Sequence, residues 1–251
     1  TGVAQLIVEE MKRGNGLITK EDLLRYESKY RAPVLGTYKG HDIISMGPPS
    51  SGGTLLVNML NMLENYPIDT LGWNSSEYIH LLTEVERRAY ADRAEHMGDP
   101  DFWDVPISML TSKIYAKNRI KSINLDIATP SSDISASEKV LYETDETTHY
   151  SVVDRWGNAV SVTTTINLNY GNGCIVEGAG FFMNNEMDDF SSKPGVPNAF
   201  GLIGNEANAI EASKRPLSSM TPTIVLKDRK PFLIIGSPGG STIITTTLPV
   251  S

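Results

Sequence analysis

The chain has 251 residues, 40% hydrophobic and 21% charged, which is enough to bury a real core in one large domain or two small ones. A formal net charge of -8 argues against binding a nucleic acid backbone. The single cysteine, Cys174, excludes an internal disulfide, and no apolar run approaches the roughly 18–20 residues of a membrane span.

The charge is uneven. Residues 1–146 carry 22 acidic and 15 basic side chains, whereas residues 147–251 carry 8 and 7. No signal peptide is visible. The chain opens on Thr1-Gly2 and stops in the apolar run around Ile243-Ile244 and Leu248-Pro249-Val250, so truncation at both ends is expected.

Leu6, Ile7 and Met11 among charges predict an amphipathic helix over Gln5–Lys12, stopped by Gly14-Asn15-Gly16. Thr19 reads as the N-cap of a second helix running to about Tyr26, with Glu21 and Asp22 in its first turn. Gly36–Met46 reads as two short strands around a turn. Pro48-Pro49-Ser50-Ser51-Gly52-Gly53 breaks that pattern as a structural turn. A helix follows over Thr54–Glu64, with Leu55, Leu56, Met59, Leu60 and Leu63 on one side. Ser75–Met97 is the longest helical stretch and ends at Asp99-Pro100. Lys113–Arg119 is a short helix, and 128–146 reads as an exposed polar linker.

The texture changes at Thr147. Tyr150–Asp154 and Ala159–Thr165 are strands joined by the tight turn Trp156-Gly157-Asn158. Gly178–Asn184, Thr223–Leu226 and Pro231–Gly236 read as further strands, the last two around a turn at Asp228-Arg229-Lys230. Residues 1–146 are thus mostly helical and residues 147–251 are β-rich.

Five constellations carry chemistry. At Glu146-Thr147 a polar linker runs straight into a strand, as an ordinary loop does. The same junction suits self-cleavage before Thr147, which would leave a hydroxyl nucleophile and an α-amine base of pKa near 7.7–8 in one residue. Thr165 and Asn167 fall on one face if strand alternation continues past Thr165. Glu186, Asp188 and Asp189 crowd together as a solvated turn or as a carboxylate pair for an ammonium group. Ser218 and Ser219, between Pro216 and Pro222, form a rigid corner, a plain turn or a carboxylate seat. Gly239-Gly240 follows an apolar strand and can present N–H groups to an oxyanion. The four histidines lack metal-ligand spacing, so neither a metal nor a cofactor is expected.

Together with Gly16–Thr19, Tyr90-Ala91-Asp92-Arg93, Gly98-Asp99-Pro100 and Thr147–Val152, these motifs resemble the γ-glutamyltransferase (γ-glutamyl transpeptidase) family over nearly the whole chain. The resemblance implies an α+β fold, the four-layer αββα sandwich of the N-terminal-nucleophile hydrolases, incomplete here. It implies that 1–146 is the C-terminal part of a large subunit, and 147–251 the start of a small one, the two forming a heterodimer after cleavage between Glu146 and Thr147. By the same resemblance Thr147 is the nucleophile and Thr165 supports it. Asn167, Glu186 and Asp189 contact the α-amino end of a γ-glutamyl group, and Ser218 and Ser219 hold its carboxylate. Gly239 and Gly240 form the oxyanion hole. The implied substrates are glutathione and other γ-glutamyl compounds, with amino acids, peptides or water as acceptors, in the periplasm or outside the cell.

The chain departs from the family pattern in two ways. An arginine that pairs with the substrate carboxylate belongs to the part of the large subunit absent here. Phe200 stands in the lid-like stretch Pro197–Gly201, where bacterial relatives often carry tyrosine. Two alternatives stay open: a glutaryl or cephalosporin-type acylase on the same scaffold, and a non-catalytic module that captures amino-acid derivatives.

Overall fold

A computed structural model of the chain describes residues 2–134, 147–191 and 205–250; Glu146, most of the expected linker and Phe200 lie outside them. Helix α1 (Gly2–Gly14) is longer than its apolar spacing suggested and buries no residue fully. Helix α2 (Lys20–Arg25) starts at Thr19 with a capping box: the Asp22 N–H donates to Thr19 Oγ1 at 3.2 Å, and the Thr19 N–H to the Asp22 carboxylate at 2.8 Å.

Strands β1 (Val34–Tyr38) and β2 (His41–Ser45) form the expected hairpin. Helix α3 (Gly52–Leu63) follows, and every one of its residues is buried. It packs on β1 and β2, with Leu55, Leu56, Met59 and Leu60 meeting Ile43 and Val34 in the main core. Each such side chain contributes about 1.5–3 kcal/mol by leaving water, so α3 organises the molecule around itself.

Helix α4 (Ser76–His96) is capped by Ser75, whose Oγ accepts the Tyr78 N–H at 3.1 Å. It carries a buried ion pair, Arg88 to Glu84 at 2.6 Å. Short helices α5 (Ile107–Leu110) and α6 (Lys113–Arg119) complete this layer. The chain then returns to α4: Thr129 bonds Glu84 through its N–H at 3.0 Å, and Ile134 is buried. The start of the expected linker, exposed at Ala128 and Pro130–Asp133, is thus anchored at Thr129 and Ile134, because Glu84 and Arg88 need polar partners in the interior.

Strands β3 (Thr147–Val153) and β4 (Ala159–Thr165) pair from Thr147 opposite Thr165 to Val153 opposite Ala159. At their turn the Asp154 carboxylate accepts the Trp156 and Asn158 N–H groups, both at 2.9 Å. The strand expected over Gly178–Asn184 does not form. Gly178 and Gly180 take positive φ, and only an isolated bridge between Ile175 and Phe182 remains.

Strands β5 (Thr223–Lys227) and β6 (Lys230–Ile235) join the first hairpin in one antiparallel sheet, ordered β1-β2-β5-β6. That sheet draws on both sides of position 147. Ile43 faces Val225, and Ser45 faces Thr223 with a hydroxyl–hydroxyl bond of 2.8 Å. The β3–β4 hairpin is tied to β6 by Ser151 Oγ donating to the Ile234 carbonyl at 3.2 Å and Ser161 Oγ to that of Ile235 at 3.1 Å. Helix α7 (Thr242–Thr247), unforeseen in the sequence, buries Ile243 and Ile244 against the core.

Candidate active site

Thr147 opens β3 directly opposite Thr165, which closes β4, so the two side chains share one face of the hairpin. Alternation stops there. Asn167 sits at φ 72°, a left-handed conformation that asparagine tolerates. Its N–H folds back onto Thr165 Oγ1 at 2.9 Å, and its amide donates to the Asn185 carbonyl at 3.2 Å. Thr165 and Asn167 do come together, through a turn rather than through the strand periodicity expected.

Asn185 in turn accepts the Leu168 N–H at 3.0 Å, which fixes the start of a 3₁₀ turn at Glu186–Asp189. Side chains three apart eclipse in a 3₁₀ helix. Glu186 and Asp189 therefore face each other and share a hydrogen bond, while Asp188 lies between them in sequence. Burial raises the pKa of both carboxyls. For Asp189 the Glu186 carboxylate raises it further, and the Arg93 charge opposes the rise. Two half-buried carboxyls in contact favour keeping a proton between them until a cation replaces it.

The serine corner is braced from behind. The Ser51 N–H donates to the Ser218 carbonyl at 2.8 Å, and the Ser218 N–H to that of Pro49 at 2.9 Å. Ser50 Oγ donates to the Met220 carbonyl at 2.7 Å. The turn Pro48–Gly53, read from sequence as structural, is thus the backing plate of the corner. The approach needs Gly52: a Cβ there would lie 2.3 Å from the Met220 oxygen and 2.4 Å from Thr221 Oγ1. Gly52→Ala is expected to cost about 1–3 kcal/mol of stability, read as a lower denaturant midpoint. An unchanged midpoint would mean the corner is not held this way.

Gly239 and Gly240 take φ 118° and 43° in the turn between β6 and α7. Thr242 Oγ1 donates to the Gly239 carbonyl at 2.6 Å, and Tyr90 donates its hydroxyl hydrogen to the Ser241 carbonyl. The Gly240 carbonyl accepts the Ile243 N–H at 3.4 Å, so among the described residues the two N–H groups are the polar function this turn can offer.

One cleft gathers Thr147, Thr165, Asn167, Asp189, Ser218, Ser219 and Gly240, with Met220, Ser241 and Ile243 between them. Glu186 reaches it through Asp189; Gly239 does not line it, and Glu146 is outside the described residues. A larger hollow between Tyr38, Trp73, Tyr78 and Leu248 contains none of the expected residues. Two supporting residues escaped the sequence reading. Buried Asn208 donates to the Asp189 carbonyl at 2.6 Å and accepts the Leu217 N–H at 3.0 Å, joining the acidic turn to the serine corner. Arg93, buried on α4, reaches Ser51 and Ser219. Its only signal was a place in the motif Tyr90-Ala91-Asp92-Arg93.

The arrangement of antiparallel sheets and helices is that of the N-terminal-nucleophile hydrolases. The same fold is found in a cephalosporin acylase from Bacillus halodurans, at a TM-score of 0.78 and 22% identity, covering 99% of this chain and 42% of that one.

The chain belongs to the gamma-glutamyltranspeptidase family, whose model matches residues 2–251. It is 52% identical over 246 residues to the glutathione hydrolase proenzyme of Escherichia coli, covering 98% of this chain and 42% of that protein. The structure of Helicobacter pylori gamma-glutamyltranspeptidase matches at 50% identity and a TM-score of 0.52, over 54% of this chain and 39% of that one. The chain thus spans less than half the length of these relatives.

Proposed function

We propose that the full-length protein transfers or hydrolyses γ-glutamyl groups, and that Thr147 carries them as an ester. The observation that supports this most is the cleft itself, which joins a threonine at a strand start, a carboxylate pair, two serines and a glycine turn. In this reading residues 1–146 end a large subunit and 147–251 begin a small one, and the two remain associated after cleavage before Thr147. Its substrates are glutathione and other γ-glutamyl amides. Acceptors are amino acids, peptides or water. By family kinship we place it in the periplasm or outside the cell.

The freed α-amine of Thr147 takes the proton of the Thr147 hydroxyl as its oxygen attacks the γ-carbonyl. The C–O bond forms, and the carbonyl oxygen gains negative charge toward the N–H groups of Gly239 and Gly240. The same proton passes to the departing amine as the C–N bond breaks. Water, or an acceptor amine, then attacks the ester and regenerates Thr147. Glu186, Asp189 and Asn167 hold the substrate ammonium, and Ser218 and Ser219 its carboxylate.

An acylase that takes glutaryl or cephalosporin side chains would use the same nucleophile. A glutaryl side chain brings no ammonium, and the half-buried Glu186–Asp189 pair would then be left without its cation. Processed full-length protein should release aniline from a γ-glutamyl anilide at least about tenfold faster than from a glutaryl anilide. The reverse preference would replace this reading with the acylase, and inactivity on both would replace it with a binding module.

A further inference from the structure

Both serine oxygens are already used as acceptors by the protein. The Met220 N–H donates to Ser218 Oγ at 3.1 Å, and the Arg93 guanidinium to Ser219 Oγ at 3.2 Å. A guanidinium has donors only, so Ser219 Oγ must accept and turn its own hydrogen elsewhere. Among the described residues neither serine hydroxyl donates to a protein group. Their hydrogens remain for whatever enters the cleft they line.

Arg93 is 5% exposed and comes from α4, behind the corner. Its Nε donates to Ser51 Oγ at 3.0 Å, and Ser51 Oγ donates onward to the Ser218 carbonyl at 2.9 Å. One rigid fork therefore fixes both the backbone of Ser218 and the hydroxyl of Ser219. A lysine offers a single point charge and does not span this pair.

We infer that Arg93 is a positioning residue that sets carboxylate specificity: donating from behind, it forces Ser219 to donate forward, and its charge favours an anion at that end of the cleft. The inference rests on the γ-glutamyl reading, since the α-carboxylate is the anion it assigns to the corner. The Arg93 charge is also felt at Asp189, where it opposes the rise in pKa.

The test uses processed full-length protein and two substrates: a γ-glutamyl anilide, and a 4-aminobutyryl anilide that keeps the ammonium but lacks the carboxylate. Arg93→Met should raise KM for the first about tenfold or more, with kcat little changed. The change in kcat/KM for the second should be much smaller, since only the Arg93 charge felt at Asp189 reaches its ammonium. Arg93→Lys should recover part of the loss. Arg93→Met combined with Ser219→Ala should cost less than the two separate losses added, because the two share one hydrogen bond. Equal losses on both substrates, or additive effects in the double variant, would make Arg93 merely structural. If Arg93→Met fails to fold or mature, Arg93→Lys decides alone: its preference for the carboxylate-bearing substrate should fall, and an unchanged preference overturns the inference. A wild-type protein inactive on both anilides would remove the γ-glutamyl reading and the inference together. An active wild type with an unchanged preference in Arg93→Lys removes only the inference.

Discussion

In the full-length protein, Thr147→Ala should persist as one uncut polypeptide and lose at least about ten-thousandfold of its activity on γ-glutamyl amides. Two steps fail for one reason. On the proposed mechanism, maturation needs a hydroxyl to attack the Glu146 carbonyl, convert the peptide bond to an ester and let water open it. Turnover needs the same hydroxyl on a residue whose amine is then free. Alanine supplies neither, yet it leaves the β3–β4 register in place, since Thr147 pairs with Thr165 through the backbone. Thr147→Ser keeps a hydroxyl and should still be cut. A denaturing gel with intact-mass measurement reads both outcomes. Normal subunits from Thr147→Ala would end the self-cleavage assignment, and a folded, cleaved but fully active variant would end the nucleophile assignment as well.

Local signals in the sequence carried the elements that local physics determines. Thr19 and Ser75 cap their helices as polar residues before apolar periodicity do, and Trp156-Gly157-Asn158 turns the hairpin. Non-local pairing left no such trace. Nothing near Ile43 announces Val225 as its partner, because strand register between distant segments is settled by the buried face they share. Phe181, Phe182 and Met183 look like a strand, but Gly178 and Gly180 bend the chain away from one. The run Thr242–Thr247 is rich in β-branched residues and still forms α7, because burying Ile243 and Ile244 outweighs a weak local preference.

The candidate site was legible as a set of residue types, through resemblance more than through spacing. The acidic run gave the carboxylates; only the 3₁₀ turn explains why Glu186 and Asp189, rather than Asp188, face each other. Asn167 was expected from alternation and arrives through a left-handed turn instead. Arg93 and Asn208 act from behind the cleft, and a residue that works by bracing others has no motif chemistry of its own to display.

Asp189→Asn should separate binding from folding. In the processed full-length protein it removes one of the two carboxylates proposed to face the substrate ammonium, a charge-assisted interaction of about 1.5–3 kcal/mol. The expected loss in kcat/KM is roughly ten- to hundredfold for a γ-glutamyl anilide. A glutaryl anilide, which has no ammonium, should be hydrolysed no worse than by wild type. The pH dependence follows from the raised pKa of the pair. An ammonium binds best when the pair has lost its shared proton, so wild-type kcat/KM should rise with pH through the elevated pKa. Asp189→Asn should flatten that limb. Stability runs the other way. Asp189 binds its proton more tightly folded than unfolded, so the unliganded protein loses stability as pH rises from the ordinary carboxylate range through the raised value. Asparagine carries no such penalty. Its thermal midpoint should therefore exceed that of wild type at pH 8, and the difference should shrink toward pH 4. A variant that loses both anilides equally and melts lower at pH 8 would show that Asp189 supports the fold, and the ammonium seat would have to be sought elsewhere in the cleft.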